Sequence, residues 1–131
     1  MSEVLEKEQP KILVADDDPA ILRLVKTIVE KEGFTVITAR DGKEAYKLLQ
    51  SGEPLVAAIF DVVMPYIQGT EIVRYMQSEK RLMKIPVIIM TAEQNSRLSS
   101  DSFAAGAVAF LPKPFTNAQL QTMLRMFIRQ T

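Results

Sequence analysis

The chain has 131 residues, 47% of them hydrophobic, which is enough for one domain built around one core. Sixteen basic and sixteen acidic residues cancel, so no overall field draws it to nucleic acid or to an anionic lipid surface. It has neither Cys nor His, which removes disulfides, thiol nucleophiles, imidazole bases and the usual zinc ligand sets, and with them most hydrolase and metalloprotease mechanisms.

Residues 1–10 read as a flexible N-terminal tail carrying Glu3, Glu6, Lys7 and Glu8, and residues 11–131 as a single domain. The tail is polar and acidic where a signal peptide would be basic and then apolar. The longest apolar run, Leu55 to Phe60, is too short to span a bilayer, so a cytoplasmic protein without a membrane partner is expected.

From Lys11 onward, strand-like and helix-like patterns alternate. Lys11 to Ala15 reads as a strand, and Ile21, Leu22, Leu24, Val25, Ile28 and Val29 then recur at helical spacing up to Gly33. Phe34 to Ala39 is a second strand, followed by Asp41-Gly42 and a helix through Ala45, Leu48 and Leu49 to Gly52. Leu55 to Phe60 is a continuous apolar run, as expected of a strand covered on both faces, and the helix after Pro65 carries Ile72, Val73 and Met76. Pro86 to Met90 is the fourth strand, and a weaker helix from Arg97 to Ala105 ends at Gly106. Val108 to Leu111 is the fifth strand, and Leu120, Met123, Leu124, Phe127 and Ile128 mark the apolar stripe of a fifth helix. Five βα units in strict alternation specify an α/β fold with a doubly wound, five-stranded parallel sheet.

Chemically matched residues follow four of these strands: Asp16-Asp17-Asp18, then Asp61, Thr91 and Lys113. Ligand sites in open α/β sheets lie beyond the carboxyl ends of the strands, so these residues should meet in one cleft. A glycine-rich turn that would bring bare N–H groups to a nucleotide phosphate is replaced here by three aspartates, which disfavours a dinucleotide or flavin. Carboxylates on neighbouring strands roughly 4.8 Å apart can share one ion, and Mg²⁺ suits a site of one or two carboxylates completed by water and a phosphate oxygen.

Plainer roles exist for each residue. The aspartate triplet can cap the following helix, with Pro19 as its first residue, and Asp18 is the expected cap. An acid at the end of a buried strand can be settled by a structural ion pair between Asp61 and Lys113, and Thr91 taken alone is as much a strand-end residue as a ligand.

The segments Ile12 to Pro19, Asp61-Val62-Val63-Met64-Pro65, Met90-Thr91-Ala92, Ala105-Gly106-Ala107 and Lys113-Pro114-Phe115, in this order and at these separations, resemble the receiver domain of two-component response regulators. The resemblance runs from Lys11 to Gln130 and implies a flavodoxin-like strand order of 2-1-3-4-5 with five helices. It also implies Mg²⁺-dependent transfer of a phosphoryl group from a phosphohistidine of a partner kinase or phosphotransfer protein to Asp61. Asp17 matches the direct metal ligand, Asp16 its water-mediated neighbour, and Val63 contributes a backbone carbonyl. Lys113 and Thr91 match the groups that contact the phosphoryl oxygens, joined by Ala92. Thr91 and Phe110 match the switch pair. Such a domain is a phosphoacceptor rather than an enzyme, promoting only its own phosphorylation and slow autodephosphorylation.

The sequence departs from the family pattern in several places. Gln68 stands where many members carry Asp, Val63 and Glu93 occupy positions that tune acyl-phosphate lifetime, and Phe110 lacks the hydroxyl of the more familiar Tyr. The chain stops at the end of the fifth predicted helix, and its fifth strand lacks the usual acidic pair. A stand-alone, chemotaxis-protein-like receiver is therefore expected, monomeric or weakly dimeric, acting on a separate target protein and not on nucleic acid. Its expected output surface is that of the fourth helix, fifth strand and fifth helix, with Phe103, Phe110 and Met126 as its apolar residues. A phosphate shuttle in a relay is the nearest alternative. A Mg²⁺-dependent phosphohydrolase would need a general acid where Val63 stands, and a phosphorylation-independent scaffold would predict an eroded acidic site.

Overall fold

A computed structural model describes residues 9–91, 101 and 105–128. Its elements in chain order are β1 (Lys11–Ala15), α1 (Pro19–Lys31), β2 (Thr35–Ala39), α2 (Gly42–Gln50), β3 (Ala57–Asp61), α3 (Gly69–Gln77), β4 (Val87–Thr91), β5 (Ala109–Pro112) and α4 (Asn117–Phe127). All strand pairs are parallel, in the order β2-β1-β3-β4-β5. This is the doubly wound sheet and the strand order anticipated above. Four helices are present among the described residues. The remaining expected helix, Arg97 to Ala105, falls mostly on residues outside that set, as do Ala92, Glu93, Phe103 and residues 1–8 of the tail.

Successive residues of the strands feed two cores, because side chains alternate across a sheet. Leu13, Ala58, Phe60 and Ile89 face one side, packed with Ala45 and Leu49 of α2 and Ile72, Val73 and Met76 of α3. Ile12, Val14, Ile59, Ile88, Met90 and Leu111 face the other, under Val25, Ile28 and Val29 of α1 and Leu120 and Leu124 of α4. Both faces of β3 and β4 are covered, which accounts for their uninterrupted apolar runs.

The helices begin where side chains satisfy their first N–H groups. Asp18 accepts from the N–H of Ala20 and Ile21 at the head of α1, Asp41 from Glu44 in α2, and Thr116 from Gln119 in α4. Gly33, just after α1, has φ +96°, the left-handed conformation that lets the chain turn sharply into β2.

The stripe expected on the last helix needs one correction. Leu120, Leu124 and Ile128 are buried and Met123 is half-buried, but Phe127 is exposed in the final helical turn. Helical spacing gives the direction of a side chain; it does not give how far the sheet beneath extends. There Phe127 borders an apolar groove shared with Val108, Met123 and Met126 instead of entering the core.

Candidate functional site

Strand β1 continues to β2 on one side and β3 lies on its other side, so a crevice opens beyond the carboxyl ends of β1 and β3. Asp16 and Asp17 leave β1 into that crevice, and Asp61 is the last residue of β3, paired in register with Met90. One carboxylate oxygen from each of Asp16, Asp17 and Asp61 lies within 4.8 Å of the others.

The aspartate triplet divides its labour. Asp18 is the helix cap, with its Oδ1 accepting from Ala20 N–H at 2.9 Å. Asp16 does not cap. Its side chain is wholly buried, its Oδ1 accepts the Asp18 N–H at 2.9 Å, and its Oδ2 accepts from Lys113 Nζ at 2.7 Å. Asp17 is exposed and turned to the mouth of the crevice with the other two carboxylates within reach.

Lys113 enters from beyond β5. Its own N–H donates to the Thr91 carbonyl at 2.6 Å, and the peptide bond to Pro114 is cis. The ammonium approaches both buried acids, at 2.7 Å from Asp16 and 3.6 Å from Asp61 Oδ2. The pairing of Lys113 with Asp61 expected from the sequence is present, but Asp16 is the closer partner. Thr91 is buried at the end of β4, between the strand ends that bring Asp61 and Lys113.

Asp61 is 8% exposed, and its carboxyl is pushed up from 3.8 to about 6. Burial is the main cause and the charge of Asp16 the next, with Lys113 pulling the other way and Asp17 adding to the rise. With all three carboxylates ionised, one ammonium leaves two negative charges uncompensated. A hard divalent cation with oxygen ligands fits that donor set.

The loop after β3 frames the opening. Val62 N–H donates to the Met90 carbonyl at 2.9 Å, and Gly69 N–H closes the loop onto the Val62 carbonyl at 2.9 Å. Between them Val63 is 59% exposed, and Tyr66 sits at φ +73°. Phe110 of β5 is half-buried against the α2/α3 core, whereas Met126 of α4 is 67% exposed. These two do not share the groove beside β5, which Met126 lines and Phe110 does not.

Sequence reasoning named the acids and the lysine but missed the backbone supports: Gly69, whose Cα faces the Asp61 carbonyl so closely that a Cβ would lie 2.4 Å from its oxygen, and Gly42, which packs as closely on the Ile67 carbonyl. A glycine at the first turn of each of two helices was the available signal.

The response regulator receiver domain model matches residues 12–125. Among curated relatives, response regulator GtcR of Aneurinibacillus migulanus is 34% identical over 118 residues, covering 87% of this chain and 47% of that protein. Response regulator MprA of Mycobacterium ulcerans is 34% identical over 121 residues, covering 92% and 51%. The chain thus spans about half the length of the curated relatives it matches. Among solved structures, the receiver domain of Francisella response regulator 1452 aligns with a TM-score of 0.79 at 32% identity, covering 89% of this chain and 94% of that one. The chemotaxis protein CheY4 of Vibrio cholerae aligns with a TM-score of 0.82 at 30% identity, covering 90% and 98%.

Proposed function

This chain belongs to the response regulator receiver family, and on that premise we propose that Asp61 is its phosphoacceptor, residues 11–131 forming the receiver unit. An Asp61 carboxylate oxygen attacks the phosphorus of a phosphohistidine on a kinase or phosphotransfer protein; the P–N bond breaks, the imidazole leaves, and an acyl phosphate remains on Asp61. The donor histidine lies outside residues 1–131, which contain none.

Asp16, Asp17 and Asp61 are the carboxylates that would hold Mg²⁺, with the Val63 backbone carbonyl. When bound, the ion supplies neutralisation of the charge on the transferring phosphoryl group. Lys113 and Thr91 take phosphoryl oxygens, joined by the N–H of Ala92. Lys113 is already oriented for this by its ion pair with Asp16, and little reorganisation is required of it. The observation that carries the reading is the convergence of three carboxylates within 4.8 Å of one another with a largely buried ammonium between two of them.

Output runs through Thr91 and Phe110 to a separate target protein, with relay of the phosphoryl group as the second role. Phe103, Phe110 and Met126 are the apolar residues offered to that partner. The proposed site of action is the cytoplasm; no helix among the described residues is long and apolar enough to cross a membrane.

Incubation with acetyl phosphate and Mg²⁺, followed by intact-mass measurement, tests the reading. One labile phosphoryl adduct that maps to Asp61 supports it, and absence of any adduct in a folded, Mg²⁺-saturated sample refutes it.

A further inference from the structure

We propose that Gly42, the first residue of α2, is a positioning residue for the phosphoacceptor loop, acting by seating the apex of the β3–α3 loop so that Asp61 and the Val63 carbonyl keep their places. The inference rests on the function proposed above, and it concerns a residue outside the acidic crevice.

Two contacts carry it. Gly42 N–H donates to the Pro65 carbonyl at 3.2 Å, and the same carbonyl accepts from Ile67 N–H at 2.9 Å across Tyr66. That second bond closes a three-residue turn with Tyr66 at φ +73°, a conformation in which a bulky residue is strained. A strained turn persists only where its surroundings hold it.

Gly42 provides that hold by having no side chain. A Cβ there would lie 1.8 Å from the Ile67 carbonyl oxygen and 2.8 Å from the Ile67 Cβ. The neighbouring atoms are backbone of a loop whose other end is closed by Gly69 on Asp61 and Val62, so the clash cannot be relieved by turning a flexible side chain. Gly42 is itself buried, and its position is fixed by the Asp41 cap and by Ala45 and Leu49 in the core. Any atom added to it therefore moves the loop rather than the helix. Lys43 follows on, with its ammonium 5.8 Å from the centre of the Tyr66 ring.

The loop is thus pinned at both ends by glycine: Gly69 against Asp61 at its base and Gly42 against Pro65 and Ile67 at its apex. Metal binding at the base and docking at the apex share one short piece of backbone. By reciprocity, a metal that favours the seated loop must also tighten the apex contacts.

The test uses the full chain and Mg²⁺ alone. In a heteronuclear NMR titration, which reads folded molecules separately from unfolded ones, Gly42→Ala should raise the Mg²⁺ dissociation constant by about ten-fold or more, the usual scale for losing a support behind a metal ligand. At saturating Mg²⁺, its rate of phosphorylation by acetyl phosphate should fall by on the order of a hundred-fold, as for a displacement of about 1 Å at the reacting group. A folded Gly42→Ala protein with the wild-type constant and rate overturns the inference. A second measurement needs no variant: in the wild type, Mg²⁺ should slow hydrogen exchange at the Gly42 and Ile67 amides, and unchanged exchange there at saturating Mg²⁺ overturns it as well. Failure of the wild type to take up phosphate would instead strike the proposed function itself.

Discussion

Lys113 lies nearer to Asp16 than to Asp61, 2.7 Å against 3.6 Å, so the ammonium is held by one acid and shared with the other. Asp16 is wholly buried and cannot be rehydrated in place, and Lys113 is its only oppositely charged partner among the described residues. Removing one partner of such a pair typically costs about 3 kcal/mol, because the remaining charge stays buried. Lys113→Ala is therefore expected to lower unfolding stability in EDTA by an amount of that order. Added Mg²⁺ should restore most of the loss, since the ion replaces the missing cation. Its Mg²⁺ affinity should equal or exceed that of the wild type. Denaturant titrations with and without Mg²⁺ measure both effects, and an unchanged stability in EDTA would show that the pair contributes little.

Asp61→Asn should abolish phosphoryl uptake, since an amide is nearly isosteric with the acid but a far poorer nucleophile. It also carries a pH signature. The folded carboxyl titrates at about 6, above the ordinary 3.8, so the folded state binds the extra proton and stability falls as pH rises from about 4 to about 6. The cost is fully present above that window and absent below it. In EDTA at pH 7.5 the Asn variant should be more stable than the wild type by on the order of 1–2 kcal/mol, and the gap should close below pH 4. Thermal melts across this range decide the point; a gap that widens on acidification would contradict the assignment.

The two remaining acids should separate in their metal dependence. Asp17 is exposed and makes no hydrogen bond or ion pair among the described residues, whereas Asp16 is engaged with Lys113 and the Asp18 N–H. Asp17→Ala should therefore weaken Mg²⁺ binding with little change in stability without metal. Asp16→Ala should weaken binding less and leave Lys113 free to move onto Asp61. Equal losses of affinity in the two variants, read by calorimetry or NMR titration, would remove the distinction between direct and indirect ligand.

Much of this arrangement was legible in the sequence because it follows from periodicity and topology. The apolar runs of β3 and β4 announce strands covered on both faces, and the rule that strand ends converge puts Asp16, Asp17, Asp61 and Lys113 in one crevice. Two kinds of feature were not legible. Which acid Lys113 prefers depends on differences of about an ångström among buried side chains, and residue type carries no such information. The contact of Gly42 with Ile67 joins two loops whose approach is fixed by how α2 and α3 pack, and in sequence Gly42 reads simply as the start of a helix. Phe127 failed for a related reason: its phase on the helix is that of the core, but its place is beyond the part of the sheet that could cover it.

The last helix offers a direct check on that boundary between core and surface. Leu124 is buried beneath α4 with Leu120 and the β5 residue Leu111, while Met126, two positions on, points away and is 67% exposed. Leu124→Ala should cost roughly 2–5 kcal/mol, the transfer free energy of the lost methyl groups plus the cavity they leave. Met126→Ser should change stability by no more than about 0.5 kcal/mol, as for an exposed site that makes no special contact. If Met126 serves a partner, the same substitution should weaken that association at unchanged stability, so stability and binding must be measured on one preparation. Cooperative destabilisation by Met126→Ser would mean that this side chain is covered in solution, and would withdraw it from the proposed output surface.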